Sequence, residues 1–414
     1  MSARSPRAAG MRRRPARYTD RAPSDALREG LRAHRKGDLA AATAHYRRAL
    51  DEDPDDLDAR VNLGAVLTAR GWCIDARTQL TLAGAHPAAD VRALRDVGMS
   101  FATLGHFDDA RGVFARAHAQ EPAHVGVLLA WSRASAEGGW GGALDLARQA
   151  TALAPDDPDA WIHRYRAALD DGRRTEARDA VTRAAALDPG PVAASLLAAH
   201  HAHEGSVEEA WRVLSTRDVP AGTAAAVRWL CERPRTPTYG ARRAGLSHAL
   251  RGSPQDGPAL EFGVRYGISA RVIAASRVTV HGFDSFEGLP RAWQGMPAGA
   301  FSMEGHTPEL PSNVALHRGW FAEVAPAVVA RLHLDPALVH LDGDLYESAR
   351  DALAAVAPRV RAGCVLLFDE YLGNEGWRDD EHRAWEECVR AHGWRAEVLG
   401  ASLVTGQVAL RVCG

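Results

Sequence analysis

A glycine followed five residues later by an alanine recurs through the first half of the chain: Gly37 with Ala42, Gly71 with Ala76, Gly105 with Ala110, Gly138 with Ala143, Gly172 with Ala177 and Gly205 with Ala210. Successive glycines are 34, 34, 33, 34 and 33 residues apart. A second small residue keeps a fixed place as Ala49, Ala83, Ala117, Ala150 and Ala184, and a proline follows as Pro54, Pro87, Pro122, Pro155 and Pro189. A period of this size makes each unit a supersecondary piece that buries its apolar face only by stacking on its neighbours. The unit reads as a helical hairpin: glycine permits the turn, alanines let two helices approach, and proline starts the next unit where its missing N–H costs nothing.

The period and its marks, in "LGHFDDARGVFARAHAQEP" and "APDDPDAWIHRYRAALDDGRRTEARDAVTRAAALDP", resemble tetratricopeptide repeats. The resemblance implies an α-solenoid, assigned to residues 23–218, whose concave face is lined by the first helix of each pair and offers a docking surface for a protein partner. Trp161 and Tyr165 lie one helical turn apart and read as core. Ahead of the array, residues 1–22 are rich in Arg and Pro and read as a disordered basic tail, free in solvent or touching an acidic partner.

From Pro220 to Gly257 the period is lost, and residues 219–257 read as a linker with one or two short helices. Beyond it, from residue 258 to 414, short apolar runs such as "PALEFG", "VTVHGF", "NVALHRG", "ALVHL" and "GCVLLF" alternate with helical patterns. That alternation means a parallel sheet with helices on both faces, with ligands beyond the carboxyl ends of the strands. The first run leads into Glu261, Gly263 and Gly267 in the pattern E-x-G-x-x-x-G, and Asp284 follows twenty-three residues after Glu261, placed to accept from ribose hydroxyls. This spacing leaves a nicotinamide cofactor and S-adenosylmethionine both open.

"LEFGVRYGISARVIA", "GFDSFEGLPRAWQGMPAGAFS", "NVALHRGWF", "HLDGDLYESARDAL", "GCVLLFDEYLGNEGWRDDEHRAWEE" and "QVALRV" resemble, in this order, the macrocin O-methyltransferase family of class I S-adenosylmethionine-dependent methyltransferases. The resemblance covers about residues 258 to 412. It implies a Rossmann-like α/β domain, a metal-assisted methyl transfer, and a glycoside or polyol-like acceptor hydroxyl. By the same resemblance Glu261, Gly263, Gly267 and Ser269 would form the cofactor's first loop, Asp284 would hold the ribose, and Ser285 and Phe286 would line its crevice. Gly319, Trp320 and Phe321 would contact adenine, with ordinary packing as the open alternative for the two aromatics. Where the family has a leading helical segment that helps cover the cofactor, the corresponding region here is a short linker behind the repeats, so either the last solenoid helices supply that cover or the site is more open.

Asp342 ends the fourth strand, and Asp369 with Glu370 ends the fifth. Three carboxylates brought together repel one another, and a hard divalent cation, Mg2+ above all, relieves that repulsion through oxygen coordination. Asp344, two residues beyond Asp342, is the expected general base. Capping of the following helices explains one acid at each junction but not two. Residues 291–313 are long, aperiodic and rich in Gly and Pro, which suits a lid or acceptor-binding loop; Glu304 and His306 lie in it, and Trp377 lies after the fifth strand, with solvation or packing as the plain alternatives.

A formal net charge of −2 gives no global attraction to nucleic acid or to an anionic membrane. The cysteines Cys73, Cys231, Cys364, Cys388 and Cys413 form no C-x-x-C pair, which argues against a disulfide framework or a structural zinc site and suits a cytoplasmic protein with reduced thiols. The leading expectation is an O-methyltransferase with partner-recruiting repeats. A repeat scaffold carrying a degenerate methyltransferase-like domain is the alternative, and an oxidoreductase, which has no use for the carboxylates, is the third reading.

Overall fold

The computed structural model describes residues 14–188 and 190–414, so Pro189 of the proline series and the first part of the basic tail lie outside it. The chain forms two units, one running to Gly138 and including Phe286–Pro308, the other made of Gly139–Ser285 with Glu309–Gly414.

In the first unit, helices α1 (Asp25–Lys36), α2 (Leu39–Glu52), α3 (Leu57–Ala69), α4 (Cys73–Ala85), α5 (Val91–Thr103), α6 (Phe107–Gln120) and α7 (Val125–Gly138) follow one another through short turns. Aspartates start several of them: Asp38, Asp56 and Asp90 each accept from the backbone N–H three residues on, a cap worth about 1 kcal/mol. The turn glycines Gly37, Gly71 and Gly105 have φ of 79°, 76° and 75°, where a Cβ is strained. The paired alanines Ala42, Ala76, Ala110, Ala49, Ala83 and Ala117 are buried.

A second repeating pair escaped the sequence reading. Gly30, Gly64 and Gly98 stand seven residues before each turn glycine, and a Cβ there would come within 2.6 Å of Tyr46, 2.7 Å of Leu80 and 2.7 Å of Phe114. The large residue on the second helix of each hairpin thus packs into the notch left by a glycine on the first.

Two expectations need correction. The fourth turn is made at Gly139, with φ of 73°, because α7 continues through Gly138. Part of the tail expected to be disordered is held: Ala16, Arg17, Tyr18 and Thr19 hydrogen-bond to side chains of α3 and α5.

The second unit begins with α8 (Ala143–Leu153), α9 (Pro158–Asp170), α10 (Arg174–Leu187), α11 (Pro191–Glu204) and α12 (Val207–Thr216), continuing the hairpin pattern with Gly172 and Gly205 at φ of 67° and 81°. The expected linker is two packed helices, α13 (Ala221–Cys231) and α14 (Arg242–Gly252). Gly240 N–H between them donates to Asp170 at 2.7 Å, and its carbonyl accepts from Arg166 at 2.9 Å.

Strands β1 (Ala259–Phe262), β2 (Val280–Asp284), β3 (Val314–Arg318), β4 (Leu338–Leu341), β5 (Val365–Phe368), β6 (Ala396–Ala401) and β7 (Val408–Val412) form one sheet in the order β3-β2-β1-β4-β5-β7-β6. The first five are parallel and β7 runs antiparallel between β5 and β6. β1, β4 and β5 are buried at every position, as central strands covered on both faces must be. Helices α15 (Ile268–Ala274), α16 (Phe321–Ala330), α17 (Tyr346–Val356) and α18 (Glu381–His392) complete the domain. One continuous core joins Ala198, Ala202, Val227 and Leu230 of the preceding helices to Leu260, Phe262, Leu341 and Phe368 of the sheet. The last repeat helices therefore share a core with the α/β domain, and Trp377 seals it by donating to the Gly222 carbonyl at 2.9 Å.

Among the described residues no helix is long and apolar enough to cross a membrane.

Candidate active site

The sheet's strand order reverses at β1 and β4, and the loops beyond their carboxyl ends carry most of the residues singled out from the sequence. Gly263 has φ of 95°, and a Cβ on it would stand 2.1 Å from the Asp342 carbonyl oxygen. Only glycine lets the first loop pass so close to the end of β4. Gly267 has φ of 71° and starts α15. Asp284, at the end of β2, holds this loop: its Oδ2 accepts from Val264 N–H at 2.9 Å and Arg265 N–H at 2.8 Å.

Glu261 is 0% exposed, so it acts through what it touches. Its Oε1 lies 3.1 Å from Nδ1 of His340, and it hydrogen-bonds with Ser269. The other ring nitrogen of His340 is 3.4 Å from Asp369. Burial alone would lower the His340 pKa, but hydrogen bonds to Asp369 and Glu261 outweigh it and push it up to about 10. A buried imidazole with an acid on each ring nitrogen is thus built into the sheet.

At the ends of β4 and β5 the register pairs Leu341 with Phe368, so Asp342 and Asp369 follow abreast, and Asp369 N–H donates to the Leu341 carbonyl at 2.9 Å. Asp369 Oδ1 accepts from Gln407 at 2.6 Å. Arg242, from α14, bonds Asp369 Oδ2 with one guanidinium nitrogen and Glu370 Oε1 with the other, the second at 2.6 Å. A fourth acid joins them: Glu381 is 0% exposed and accepts from Glu370 N–H at 3.0 Å. Burial drives the Glu381 carboxyl well above its ordinary pKa, and the charges of Glu370, Asp342 and Asp369 push the same way. Those four acids are therefore electrostatic neighbours.

Asp344 is 5% exposed with φ of 61°, a left-handed conformation that costs a non-glycine residue about 1 kcal/mol. Among the described residues no three His, Cys, Asp or Glu side chains stand close enough together to hold a metal ion. The expected convergence of Asp342, Asp369 and Glu370 on one ion is thus not seen, and Arg242 bridges two of the three.

The remaining expected residues divide. Ser285 is buried, and Gly319, φ 145°, donates to the Asp284 carbonyl at 3.0 Å. Trp320 is half-buried at the head of α16. Phe321 packs edge-on against Phe262 at 5.2 Å, so part of its role is core. Phe286, φ 59°, is buried within the first unit, where its carbonyl accepts from Met303 N–H at 3.1 Å. The sequence reading missed Arg242, His340, Glu381 and Gln407. His340 carried a signal, a titratable residue within an apolar strand; one arginine among many carried none.

Residues 260–371 match a family model described as a methyltransferase domain. An 8-demethyl-8-(2,3-dimethoxy-alpha-L-rhamnosyl)-tetracenomycin-C 4'-O-methyltransferase of Streptomyces olivaceus is 41% identical over 63 residues, which are 15% of this chain and 23% of that protein. A demethyldecarbamoylnovobiocin O-methyltransferase of Streptomyces niveus is 30% identical over 128 residues, 26% of this chain and 47% of that protein. The chain thus spans less than half the length of either relative. A tetratricopeptide repeat protein from Parabacteroides merdae is similar in structure with a TM-score of 0.43 and 15% identity, covering 50% of this chain and 85% of that one. The second half of this chain carries a methyltransferase domain, as its motifs imply, behind helical repeats.

Proposed function

We propose that the protein is an S-adenosylmethionine-dependent O-methyltransferase acting on a hydroxyl of a sugar or glycosylated natural product, with its repeats recruiting a protein partner or carrier. The observation that carries the reading is the junction of the glycine loop with the acids beyond β4 and β5: Gly263 lies against the Asp342 backbone, and Asp342, Asp369, Glu370 and Glu381 share one electrostatic neighbourhood. The acceptor class is supported by the two Streptomyces relatives, one named for a rhamnosyl-bearing substrate.

In this reading Gly263, Gly267 and Ser269 hold the cofactor's amino-acid end with buried Glu261 positioning Ser269 from behind, Asp284 takes the ribose, and Ser285, Gly319, Trp320 and Phe321 border the rest. S-adenosylmethionine supplies an electrophilic methyl group on a sulfonium. The glycine loop fits this role because a Cβ at Gly263 has no room and Asp284 fixes two loop N–H groups.

Asp342, Asp369 and Glu370 would hold a divalent cation such as Mg2+. Their oxygen-only set and mutual repulsion suit a hard ion, and the guanidinium of Arg242 stands in as the positive charge on two of them. An ion there would lower the pKa of an acceptor hydroxyl. For this to happen Arg242 must leave both carboxylates and the three acids must draw together, since among the described residues no three stand close enough to hold an ion. Asp344 takes the hydroxyl proton, and its strained, buried placement two residues beyond Asp342 supports that role.

The test is calorimetry of S-adenosylmethionine binding, followed by transfer of a labelled methyl group to glycoside acceptors with Mg2+ and with chelator. Binding that is lost in Asp284→Ala and Mg2+-dependent labelling are expected. A folded protein that binds no S-adenosylmethionine overturns the reading in favour of a repeat scaffold, and one that binds a nicotinamide cofactor instead overturns it in favour of an oxidoreductase.

A further inference from the structure

Asp58 and Asn62 stand one turn apart on α3, and Asp96 stands on α5; both are first helices of their hairpins. Asp58 is 1% exposed and Asn62 2%. What covers them is the chain's own residues 16–19. Asn62 clamps one residue by both of its backbone groups, its Oδ1 accepting from Ala16 N–H at 3.1 Å and its Nδ2 donating to the Ala16 carbonyl at 2.8 Å. Its Nδ2 also donates to the Asp58 carbonyl at 2.7 Å, which fixes the orientation of the amide.

Asp58 accepts four times from the next three residues: from Arg17 Nε at 2.8 Å, Tyr18 N–H at 2.5 Å, Thr19 N–H at 3.2 Å and Thr19 Oγ1 at 2.9 Å. Tyr18 extends the pattern with a hydroxyl donated to Asp96 at 2.9 Å. A neutral amide that reads backbone and a buried carboxylate that reads two N–H groups, a guanidinium and a hydroxyl select a chain that is extended and cationic. Ordinary tail contacts are side chain to side chain on exposed surface. Here four of the seven bonds made by residues 16–19 to these three side chains involve the tail's backbone, and two of the three receiving side chains are buried.

We propose that Asp58, Asn62 and Asp96 form a peptide-reading site and that Ala16-Arg17-Tyr18-Thr19 is its resident internal ligand. An extended partner segment with the same chemistry, a small residue followed by arginine, an aromatic hydroxyl and a β-hydroxyl residue, gains the repeats only by displacing this strap. The site's apparent affinity in trans is lowered by the fraction of chains in which the strap is bound. The proposal goes beyond the methyltransferase reading and does not depend on it.

The probe is a fluorescent synthetic peptide of residues 14–22, measured by anisotropy against the full-length protein and its full-length triple variant Arg17→Ala/Tyr18→Ala/Thr19→Ala. The triple variant binds the peptide at least about tenfold more tightly than the wild type, because its own strap loses its three side-chain bonds, keeps only the four backbone ones and competes less well. Adding Asn62→Ala to the triple variant abolishes that gain. Hydrogen exchange of residues 57–69 serves as an internal check, rising in the triple variant and falling again when peptide is added. Equal binding by wild type and triple variant, no binding by either, or equal binding of a scrambled peptide overturns the proposal. Circular dichroism with a cooperative thermal transition confirms that each variant is folded.

Discussion

Arg70 and Glu304, 234 residues apart in sequence, form a two-point ion pair, Nε to Oε1 at 2.8 Å and Nη2 to Oε2 at 2.6 Å. Trp72 adds a third bond to Glu304 at 3.0 Å, and its ring meets His306 at 5.0 Å. Between the two repeat residues, Gly71 leaves room for Met303, whose Cα would lie 2.6 Å from any Cβ there. The turn of the second repeat is thus the seat of a segment that the sequence places between β2 and β3, the segment expected to act as a lid. Such a loop has no periodicity of its own and takes its order from what it packs on.

Removing the ion pair loosens the seat. Glu304 is 41% exposed, so screening limits the pair to about 1 kcal/mol despite its bidentate geometry. Arg70→Ala is expected to raise hydrogen exchange in residues 286–308 by roughly fivefold while the strands of the sheet are unchanged. Equal protection in the two proteins would mean that Met303 and the Trp72 contacts hold the loop without the ion pair.

The same pair carries a pH signature. The hydrogen bond from Arg70 lowers the Glu304 carboxyl below its ordinary 4.5, against the opposing effect of burial. A carboxyl depressed in the folded state stabilises fully above its unfolded value, and the contribution fades as pH falls through the folded one. The thermal midpoints of wild type and Glu304→Gln should therefore differ at neutral pH and converge once the pH is well below that ordinary value. A constant gap across this range refutes the assignment.

Arg242 offers a test of the acid cluster that needs no turnover. Asp369 and Glu370 have side chains 4% and 8% exposed, and Arg242→Ala removes the guanidinium from both, at a cost of about 3 kcal/mol. If the acids take a divalent ion, Mg2+ or Mn2+ raises the thermal midpoint of Arg242→Ala more than that of the wild type. Adding Asp369→Asn should erase the difference. A variant indifferent to both ions argues that Arg242 is the cluster's permanent counter-charge.

How much of this was legible in the sequence depends on the distance over which each feature is specified. The hairpin period was plain because Gly37, Gly71 and Gly105 repeat a local turn. The strand ends were plain because Glu261, Asp342 and Asp369 interrupt apolar runs. Gly138 was chosen over Gly139 because adjacent glycines are equivalent as letters, and only helix length decides between them. Arg242, Glu304 and the strap at Arg17 act across 127, 234 and 41 residues, and no periodicity encodes such pairings. Glu381 lay unnoticed in a run of acids because its burial comes from packing, not from its neighbours in the chain.

Gly263 is where fold and chemistry meet most closely. Its φ of 95° strains any L-residue, and a Cβ would press to 2.1 Å of a backbone oxygen that cannot rotate aside. Relief requires the loop or the end of β4 to move, and both border the proposed cofactor site. Gly263→Ala is expected to lower stability by about 2–4 kcal/mol and to weaken S-adenosylmethionine binding by at least about tenfold. Gly295→Ala is the control, since it also has positive φ, 77°, but nothing within 4 Å of the added carbon. It should show backbone strain alone, about 1 kcal/mol, with binding intact. Calorimetry on both variants, with midpoints from thermal denaturation, separates the two effects: if Gly263→Ala binds the cofactor as the control does, the close approach to Asp342 serves the fold and not the ligand.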